Sequence, residues 1–327
     1  MLKNITVIYN QAGNISLESD KDTEESAESV ANNLKLTGYE TKLLGLNKNN
    51  ISVLENINPD LVFNLIEWDG NNLPYALEAI EILERRKLPF TGSGRKGYRL
   101  TVEKNMMKNK FKQLGIITPA WCIWPDEAVN MKDLQYPVIV KLATTHCSVG
   151  ISQASVVNDT ESAKILADKM FKQFNEKVMI EEYVTGRELQ ITILEKNHRP
   201  WALPFCEILF EKDIKYVPIL TYESKWKEDA SDYAKTDITN KVDIEENIKN
   251  RIVEIAKLCY TEMDGKDYPR LDLRFSDEVI NVLEINNNPG IDFEDDSGIG
   301  LSAKAAGFKN FSELLKHIVE NAYLRFT

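Results

Sequence analysis

Arg270, Asp272, Glu284 and Asn286 are of types that together could hold a hard cation and an anionic group. They lie in Pro269-Arg-Leu-Asp-Leu-Arg-Phe-Ser-Asp-Glu-Val-Ile-Asn-Val-Leu-Glu-Ile-Asn-Asn-Asn-Pro-Gly290. Two runs alternating apolar and polar residues flank a polar turn, Ser276-Asp277-Glu278, so the stretch reads as a β-hairpin. A turn centred on Glu278 sets Leu271 against Ile285 and Leu273 against Leu283 on an apolar face. On the opposite face Arg270 meets Asn286 and Asp272 meets Glu284. Two carboxylates and an amide oxygen are hard donors, better suited to Mg²⁺ than to zinc. A plain hairpin with a solvated polar face shows the same alternation. The sharp exit Asn286-Asn-Asn-Pro-Gly290 beside the carboxylates favours the metal site.

Further upstream, Pro137-Val-Ile-Val-Lys141 is a short apolar strand ending on a lysine. The small-residue loop that follows carries Thr144, Thr145, Ser148 and Gly150. Hydroxyls and backbone N–H groups in such a loop can wrap phosphates, with Lys141 adding charge. An ordinary strand end explains the lysine equally, and the loop is not a P-loop. Lys104 sits on the preceding helix with Lys108, Lys110 and Lys112, which read as common surface lysines. Glu181, Glu182 and Glu188 bracket a turn, where a carboxylate could take ribose hydroxyls; surface charge is the competing reading. Lys225-Trp226 lies in a polar loop, and by itself reads as a solvated lysine beside a packed tryptophan. His146 precedes Cys147, but neighbours on an extended loop point apart, so no nucleophile–base pair is read there.

The elements that must position these residues alternate. Residues 2–9, 40–46 and the run after Asn58-Pro-Asp read as strands, 22–37 and 73–87 as helices, and 88–91 as a short strand: a small parallel α/β unit. Ligands of open parallel sheets sit at the strands' carboxyl ends, so the loops 10–20 and 66–72, the second with Glu67, are candidate substrate walls. A second unit carries helices over 102–114 and 160–174 and strands at 137–141 and 177–184. A third carries strands over 189–194 and 201–210, a helix over 244–259, the hairpin, and helices at 301–306 and 311–323. Residues 222–243 have no period and read as a mobile loop or lid.

The chain has 327 residues, enough for two or three domains, and an apolar content of 43% that describes an ordinary globular protein. A net charge of −11 argues against nucleic acid as the main partner. No apolar run approaches a membrane span, and the chain enters its first strand with nothing that reads as a signal peptide. Four scattered cysteines without a C-x-x-C pair read as reduced thiols of a cytoplasmic protein. Three histidines make a His-rich zinc site or a His-based triad a poor expectation.

Taken in order, several segments resemble the ATP-grasp superfamily and, within it, the D-alanine–D-alanine ligase family. They are Pro89-Phe-Thr-Gly-Ser-Gly94, Lys104 through Leu114-Gly-Ile-Ile-Thr-Pro119, Pro137–Lys141, Ser148-Val-Gly-Ile151, Ile180-Glu-Glu-Tyr-Val-Thr-Gly-Arg-Glu188, and Arg270-Leu-Asp through Leu283-Glu-Ile-Asn-Asn-Asn-Pro-Gly290. The resemblance implies an α/β protein of α+β ATP-grasp type. An N-terminal substrate unit (1–95) precedes two subdomains (96–186 and 187–327) that clasp ATP between them. It implies a reaction in which ATP phosphorylates a carboxylate, an amine attacks the acyl phosphate, and ADP and phosphate leave. By resemblance, Lys104, Lys141 and Lys225 hold ATP phosphates. Glu181, Glu182 and Val184 lie at the adenine and Glu188 at the ribose. Asp272, Glu284 and Asn286 hold two Mg²⁺, with Mn²⁺ an alternative. Arg270, Lys225 and Ser148 are the catalytic group. A homodimer through the N-terminal unit is also implied.

The chain departs from the family where the amino acids are recognised. The family's Gly-Gly-rich first loop and its glutamate are replaced by Tyr9-Asn-Gln-Ala-Gly-Asn-Ile-Ser-Leu-Glu-Ser-Asp20, and its His-Gly segment by Asn64-Leu-Ile-Glu-Trp-Asp-Gly70. Cys147 stands for the first of two serines, and Trp226 for a lid tyrosine. Ile291-Asp-Phe-Glu-Asp-Asp-Ser297 carries a short insertion, with Ser297 as the acceptor-binding serine and Asp292, Glu294, Asp295 and Asp296 flanking the acceptor. Each lost buried polar partner costs roughly 1–3 kcal/mol, which disfavours two D-alanines as substrates. An acidic acceptor pocket would favour a cationic amine; a solvated loop explains the acids equally. The expected activity is a ligase joining a small amino-acid-like acid to an amine other than two D-alanines. An authentic D-alanine–D-alanine ligase and a non-catalytic nucleotide-binding regulator are the alternatives.

Overall fold

The computed structural model describes residues 2–11, 18–66, 73–126, 131–213, 215–227 and 229–327. Its N-terminal unit holds β1 (Asn4–Asn10), α1 (Glu18–Leu36), β2 (Glu40–Leu46), β3 (Leu61–Leu65) and α2 (Leu73–Arg85). The three strands form a parallel sheet in the order β2-β1-β3. Alternation divides β1: Ile5, Val7 and Tyr9 join the core under α1, and Ile8 the core under α2. Each helix answers with one buried stripe at i, i+3, i+4, i+7. These are Ala27, Val30, Ala31 and Leu34 on α1, and Ala76, Ala79, Ile80 and Leu83 on α2. The stretch expected as a strand at 88–91 contributes only a single bridge, Val62 with Phe90.

Two helices follow where one was expected, α3 (Arg95–Val102) and α4 (Lys104–Gln113), broken at Glu103. The next sheet is antiparallel, β4-β7-β5-β6, from β4 (Trp121–Trp124), β5 (Val138–Leu142), β6 (Val156–Val157) and β7 (Val178–Glu182), with α5 (Thr160–Phe174) on one face. Val138, Val140, Leu142, Val178 and Ile180 pack against Ala163, Ala167 and Met170 of α5. The alternate positions Ile139, Lys141 and Glu181 therefore turn to the opposite face, where the site lies.

The third sheet runs β11-β10-β8-β12-β13, with β9 also on β8. Its strands are β8 (Arg187–Lys196), β9 (Arg199–Ala202), β10 (Cys206–Phe210), β11 (Thr236–Thr239), β12 (Arg270–Ser276) and β13 (Val279–Asn286). The single strand read over 201–210 is split in two, with Pro204 in the break. Leu189, Ile191, Ile193, Leu271 and Leu273 pack on Met107 and Phe111 of α4 and on α7 (Glu246–Glu262). So α4 shares its core with the third sheet, although its chain leads into the second. Two closing helices, α8 (Gly298–Ala305) and α9 (Phe311–Leu324), share the core of α1 and β1.

The segment 222–243, read as a loop, holds α6 (Tyr222–Trp226), a 3₁₀ turn at Tyr233–Lys235 and β11, which pairs with β10. Elements of three to five residues are too short to show a period.

The β12–β13 hairpin needs one correction. Its turn is the two residues Asp277 and Glu278, both left-handed (φ 46° and 64°), between the paired Ser276 and Val279. Leu273 therefore faces Val282, not Leu283. A bulge then inserts Leu283, and beyond it Asp272 meets Glu284 and Arg270 meets Asn286.

Candidate active site

A cavity of about 850 Å³ lies between the second and third sheets. Arg270, Asp272 and Arg274 of β12 reach it by alternation, as do Glu188 and Gln190 of β8. Leu283 and Glu284 both line it, because the bulge puts two successive residues on one side. Lys104, Lys141, His146, Cys147, Ser148, Glu181, Glu182, Val184, Lys225, Trp226, Asn286 and Ser297 complete the gathering of residues singled out in the sequence. Asp295 is not on the wall: it faces solvent and pairs with Lys304 at 2.6 Å. Glu67 lies outside the described residues.

The floor is neutralised by its own side chains. Arg270 grips both oxygens of Asp272, Nε to Oδ1 at 2.8 Å and Nη2 to Oδ2 at 2.9 Å. Burial pushes the Asp272 carboxyl up; Arg270 opposes the shift and Glu284 adds to it. Glu284 goes the other way. Burial would raise it, but Lys104 and Lys141 hold it well below the usual carboxylate range. Asn286 donates its amide N–H to Glu284 Oε1 at 3.2 Å, which leaves its amide oxygen to act as a cation ligand. The two carboxylates and that oxygen fit a hard divalent ion. Among the described residues no group of three His, Cys, Asp or Glu side chains could enclose one. An ion here would keep positions for water and phosphate oxygens, as Mg²⁺ does.

The opposite wall is a buried ionic chain. Lys108, expected at the surface, is fully buried and pairs with Glu181, while Nζ also donates to Thr118 Oγ1 at 2.7 Å. Lys141 takes the other oxygen of Glu181 at 2.5 Å. Burial pushes Lys108 down to about 8, against Glu181. Burial alone would also lower Lys141, but Glu181 and Glu284 outweigh it and raise it. The Glu181 side chain, read as an adenine residue, is thus spent on two lysines. Lys104 Nζ donates to Thr145 O at 2.6 Å, and burial, with Lys141 nearby, lowers its pKa.

The loop after β5 is clamped from several sides. Glu176 accepts from the backbone N–H of Thr144 and Thr145 at 2.6 and 2.9 Å and from both hydroxyls. Cys147 and Ser148 are successive left-handed non-glycine residues, φ 60° and 58°, a conformation the surroundings must enforce. The stretch 217–226 supplies part of that. Trp226 Nε1 donates to Cys147 O at 3.1 Å, Tyr222 N to Ile151 O at 3.0 Å, and Gln153 exchanges two bonds with Val217 at 3.2 and 2.8 Å. Burial, then Lys104, pushes the His146 imidazole down to about 3, so it is neutral.

Arg274 was missed in the sequence. It faces Glu188 across the strands and bonds it at 3.1 and 2.8 Å. It also donates to the carbonyls of Val184, at 2.6 Å, and Pro218. The alternation Arg270, Asp272, Arg274 was the signal that could have found it.

Beyond β13, the exit divides its asparagines. Asn286 faces the cavity. Asn287 donates to Gly97 O and Met263 O at 3.1 and 2.9 Å, and Asn288 accepts from Ser93 N at 2.9 Å. Gly92 is left-handed (φ 85°), and a Cβ there would meet Asn288 at 2.6 Å. Its N–H donates to Asp267 at 2.7 Å, and Asp267 pairs with Arg325. The hairpin exit is thereby bolted to Thr91-Gly-Ser-Gly94. At the cavity mouth, Ser297 caps α8, accepting from Gly300 N at 3.0 Å, and Asp292, Glu294 and Asp296 line the wall beside it.

Two sheets close on a cavity rich in lysine and carboxylate, after a parallel α/β unit, and this is the ATP-grasp fold. The D-alanine–D-alanine ligase of Bacillus anthracis, solved in complex with ATP, has this fold: TM-score 0.77, 21% identity, covering 99% of this chain and 98% of that one. The VanG D-Ala:D-Ser ligase of Enterococcus faecalis gives a TM-score of 0.75 at 19% identity over 99% of this chain and 100% of that one. The family model described as D-ala D-ala ligase C-terminus matches residues 112–320, and the chain belongs to that family. A D-alanine–D-alanine ligase of Aquifex aeolicus is 29% identical over 298 residues, 90% of this chain and 94% of the relative. The protein is an ATP-dependent ligase joining a carboxylate to an amine, with ATP and Mg²⁺ as the family's cofactors. Among the described residues no helix is long and apolar enough to cross a membrane.

Proposed function

We propose that the protein activates an amino-acid-like carboxylate as an acyl phosphate and joins it to the amine of a second amino-acid-like molecule, the pair not being two D-alanines. The observation that carries the chemistry is the meeting of Arg270, Asp272, Glu284 and Asn286 with Lys104, Lys141 and Lys225 around one cavity. Charge on a transferring phosphoryl group is the main cost of such a reaction, and fixed cations lower it without reorganising. In this reading the nucleotide lies between the 96–186 and 187–327 units, and residues 1–95 add a substrate wall. Lys104, Lys141 and Lys225 take the phosphates, with Ser148 on the loop around them. Glu181 acts through Lys141, which it holds. The backbone at Glu182 and Val184 faces the adenine, and Glu188, steadied by Arg274, faces the ribose.

Asp272, Glu284 and Asn286 would hold the metal, two Mg²⁺ or in their place Mn²⁺, which neutralises phosphate oxygens when bound. Arg270 then stabilises the phosphoryl group and the tetrahedral centre formed when the amine attacks. Ser297 accepts from Gly300 N and keeps its own O–H to donate, so a carboxylate at the α8 N-terminus suits it. Asp292, Glu294 and Asp296 beside it suit an ammonium group. Together they fit a zwitterionic or more cationic acceptor, met by Cys147 and Trp226 from the loop and lid. Two D-alanines are the second reading, favoured by the Aquifex relative over 90% of the chain. Phosphate release with MgATP separates the two. Release with D-alanine alone, yielding the dipeptide, selects the second reading. Release only with other amino acids, with product mass equal to acid plus amine minus water, selects the first. The homodimer is likewise proposed, and sedimentation tests it.

A further inference from the structure

His146 has no role in the preceding reading, yet the fold places it with care. The carbonyl before it, Thr145 O, is held by Lys104, and the carbonyl of the residue after it, Cys147 O, is held by Trp226 from the lid. Its own carbonyl accepts from Val149 N at 3.3 Å. The backbone is thus fixed from two elements that are distant in sequence. The ring ends differently. Its Nε2 has no hydrogen-bond partner among the described residues and is covered by its neighbours, so a ligand oxygen reaches it only when the loop or Trp226 gives way by about the width of that atom. A buried polar atom without a partner is costly, and natural sites tolerate it where a ligand supplies the partner. The ring lines the cavity, in the combined field of Lys104, Arg270, Lys225 and Glu284. Lys104, Arg270 and Lys225 outnumber Glu284 and the Asp272 carboxylate that Arg270 holds, so the balance at the ring favours an anion, and an anionic oxygen can only accept.

We infer that His146 is a catalytic residue of this ligase: its Nε2–H donates a hydrogen bond to an oxygen of the phosphoryl group passing from ATP to the substrate carboxylate. This rests on the ligase reading above. The imidazole takes no proton and forms no bond; it supplies a fixed donor where charge accumulates. A neutral imidazole suits that task, because it donates without competing with the lysines for the phosphates.

The test pairs kinetics with a direct view of the ring. Glutamine can present an N–H near the position of Nε2, whereas leucine cannot. With the acid–amine pair that the parent enzyme turns over, His146→Leu is expected to lower kcat about 100-fold, with KM for ATP changed less than threefold. His146→Gln should recover at least tenfold of that loss. A leucine variant within threefold of the parent, or a glutamine variant as slow as leucine, overturns the inference. The protein has only three histidines, so its ¹⁵N-histidine spectrum is simple, and the signal lost in His146→Gln identifies the ring. Adding inorganic phosphate to the MgADP-saturated protein should shift the His146 Nε2 resonance, whereas MgADP alone should not. An unmoved resonance at saturating phosphate also overturns it. A parent with no turnover on any acid–amine mixture would sink the ligase reading by itself, and the phosphate titration would still decide whether His146 contacts the anion.

Discussion

The floor and the mouth of the cavity both carry acids, in opposite circumstances. On the floor Asp272 is gripped by Arg270 and Glu188 by Arg274, and on the buried wall opposite, which acts with the floor, Glu181 is held by Lys108 and Lys141. At the mouth, Glu294 and Asp296 are exposed and Asp292 is half-buried. Buried and paired charge is set before any ligand arrives, so it can act on a transition state without reorganising. Exposed charge is screened and can only bias which molecule enters. Floor substitutions should therefore act on kcat or on the fold, and mouth substitutions on KM for the acceptor.

The sharpest break in that contrast would come from the floor. Asp272→Asn and Glu284→Gln are each expected to lower kcat for phosphate release by about 1,000-fold or more. Near-normal turnover in either would remove the metal assignment. Lys108→Met leaves Glu181 with one cation in a buried site and should cost roughly 3–5 kcal/mol in urea unfolding. Lys110→Met, which removes only a partly exposed pair with Glu262, should cost less than about 1 kcal/mol.

Asp267 supplies an interior acid of the other kind. Burial raises its pKa from 3.8 to about 6, despite Arg325. The folded state then binds the proton more tightly than the unfolded chain between those values. Stability carried by this group is present at the acid end of the window and is lost as pH rises through it. The stability difference between the parent and Asp267→Asn should move against the parent by about 2 kcal/mol from pH 4 to pH 6. A gap that stays flat across those values would mean that the carboxyl is not perturbed.

The smallest effects belong to the mouth. Reversing Glu294 and Asp296 to lysine should raise KM for an ammonium-bearing acceptor about tenfold at low salt, less at high salt, with kcat little changed. Asp295→Ala, off the wall, should leave both constants within about twofold. Equal effects at 295 and 296 would erase the distinction between wall and solvent.

How much of this was legible depended on distance along the chain. The face of Arg270, Asp272, Glu284 and Asn286 followed from alternation in adjacent strands, where neighbours in sequence are neighbours in space. Even there a turn misplaced by half a residue and an unread bulge cancelled, so the pairing at the site came out right while Leu273 was set against the wrong partner. A bulge has no signature in apolar alternation. The helices α1, α2 and α5 were visible for the same local reason, and the short elements around Lys225 were not.

By itself the sequence determined the alternating faces, the parallel unit, the order of the ATP-grasp segments and most of the residues that meet at the cavity. Tertiary structure alone decided which charges are buried. Lys104 and Lys108 sit one turn apart beside Lys110 and Lys112, and nothing in composition separates them. Only the approach of β5 and β7 encloses Lys108 with Glu181, only the β8–β12 pairing sets Arg274 on Glu188, and only the meeting of Trp226 with the Cys147 carbonyl holds the His146 loop against the cavity. Burial is a property of what folds over a residue, and those covering elements lie tens of residues away in the chain.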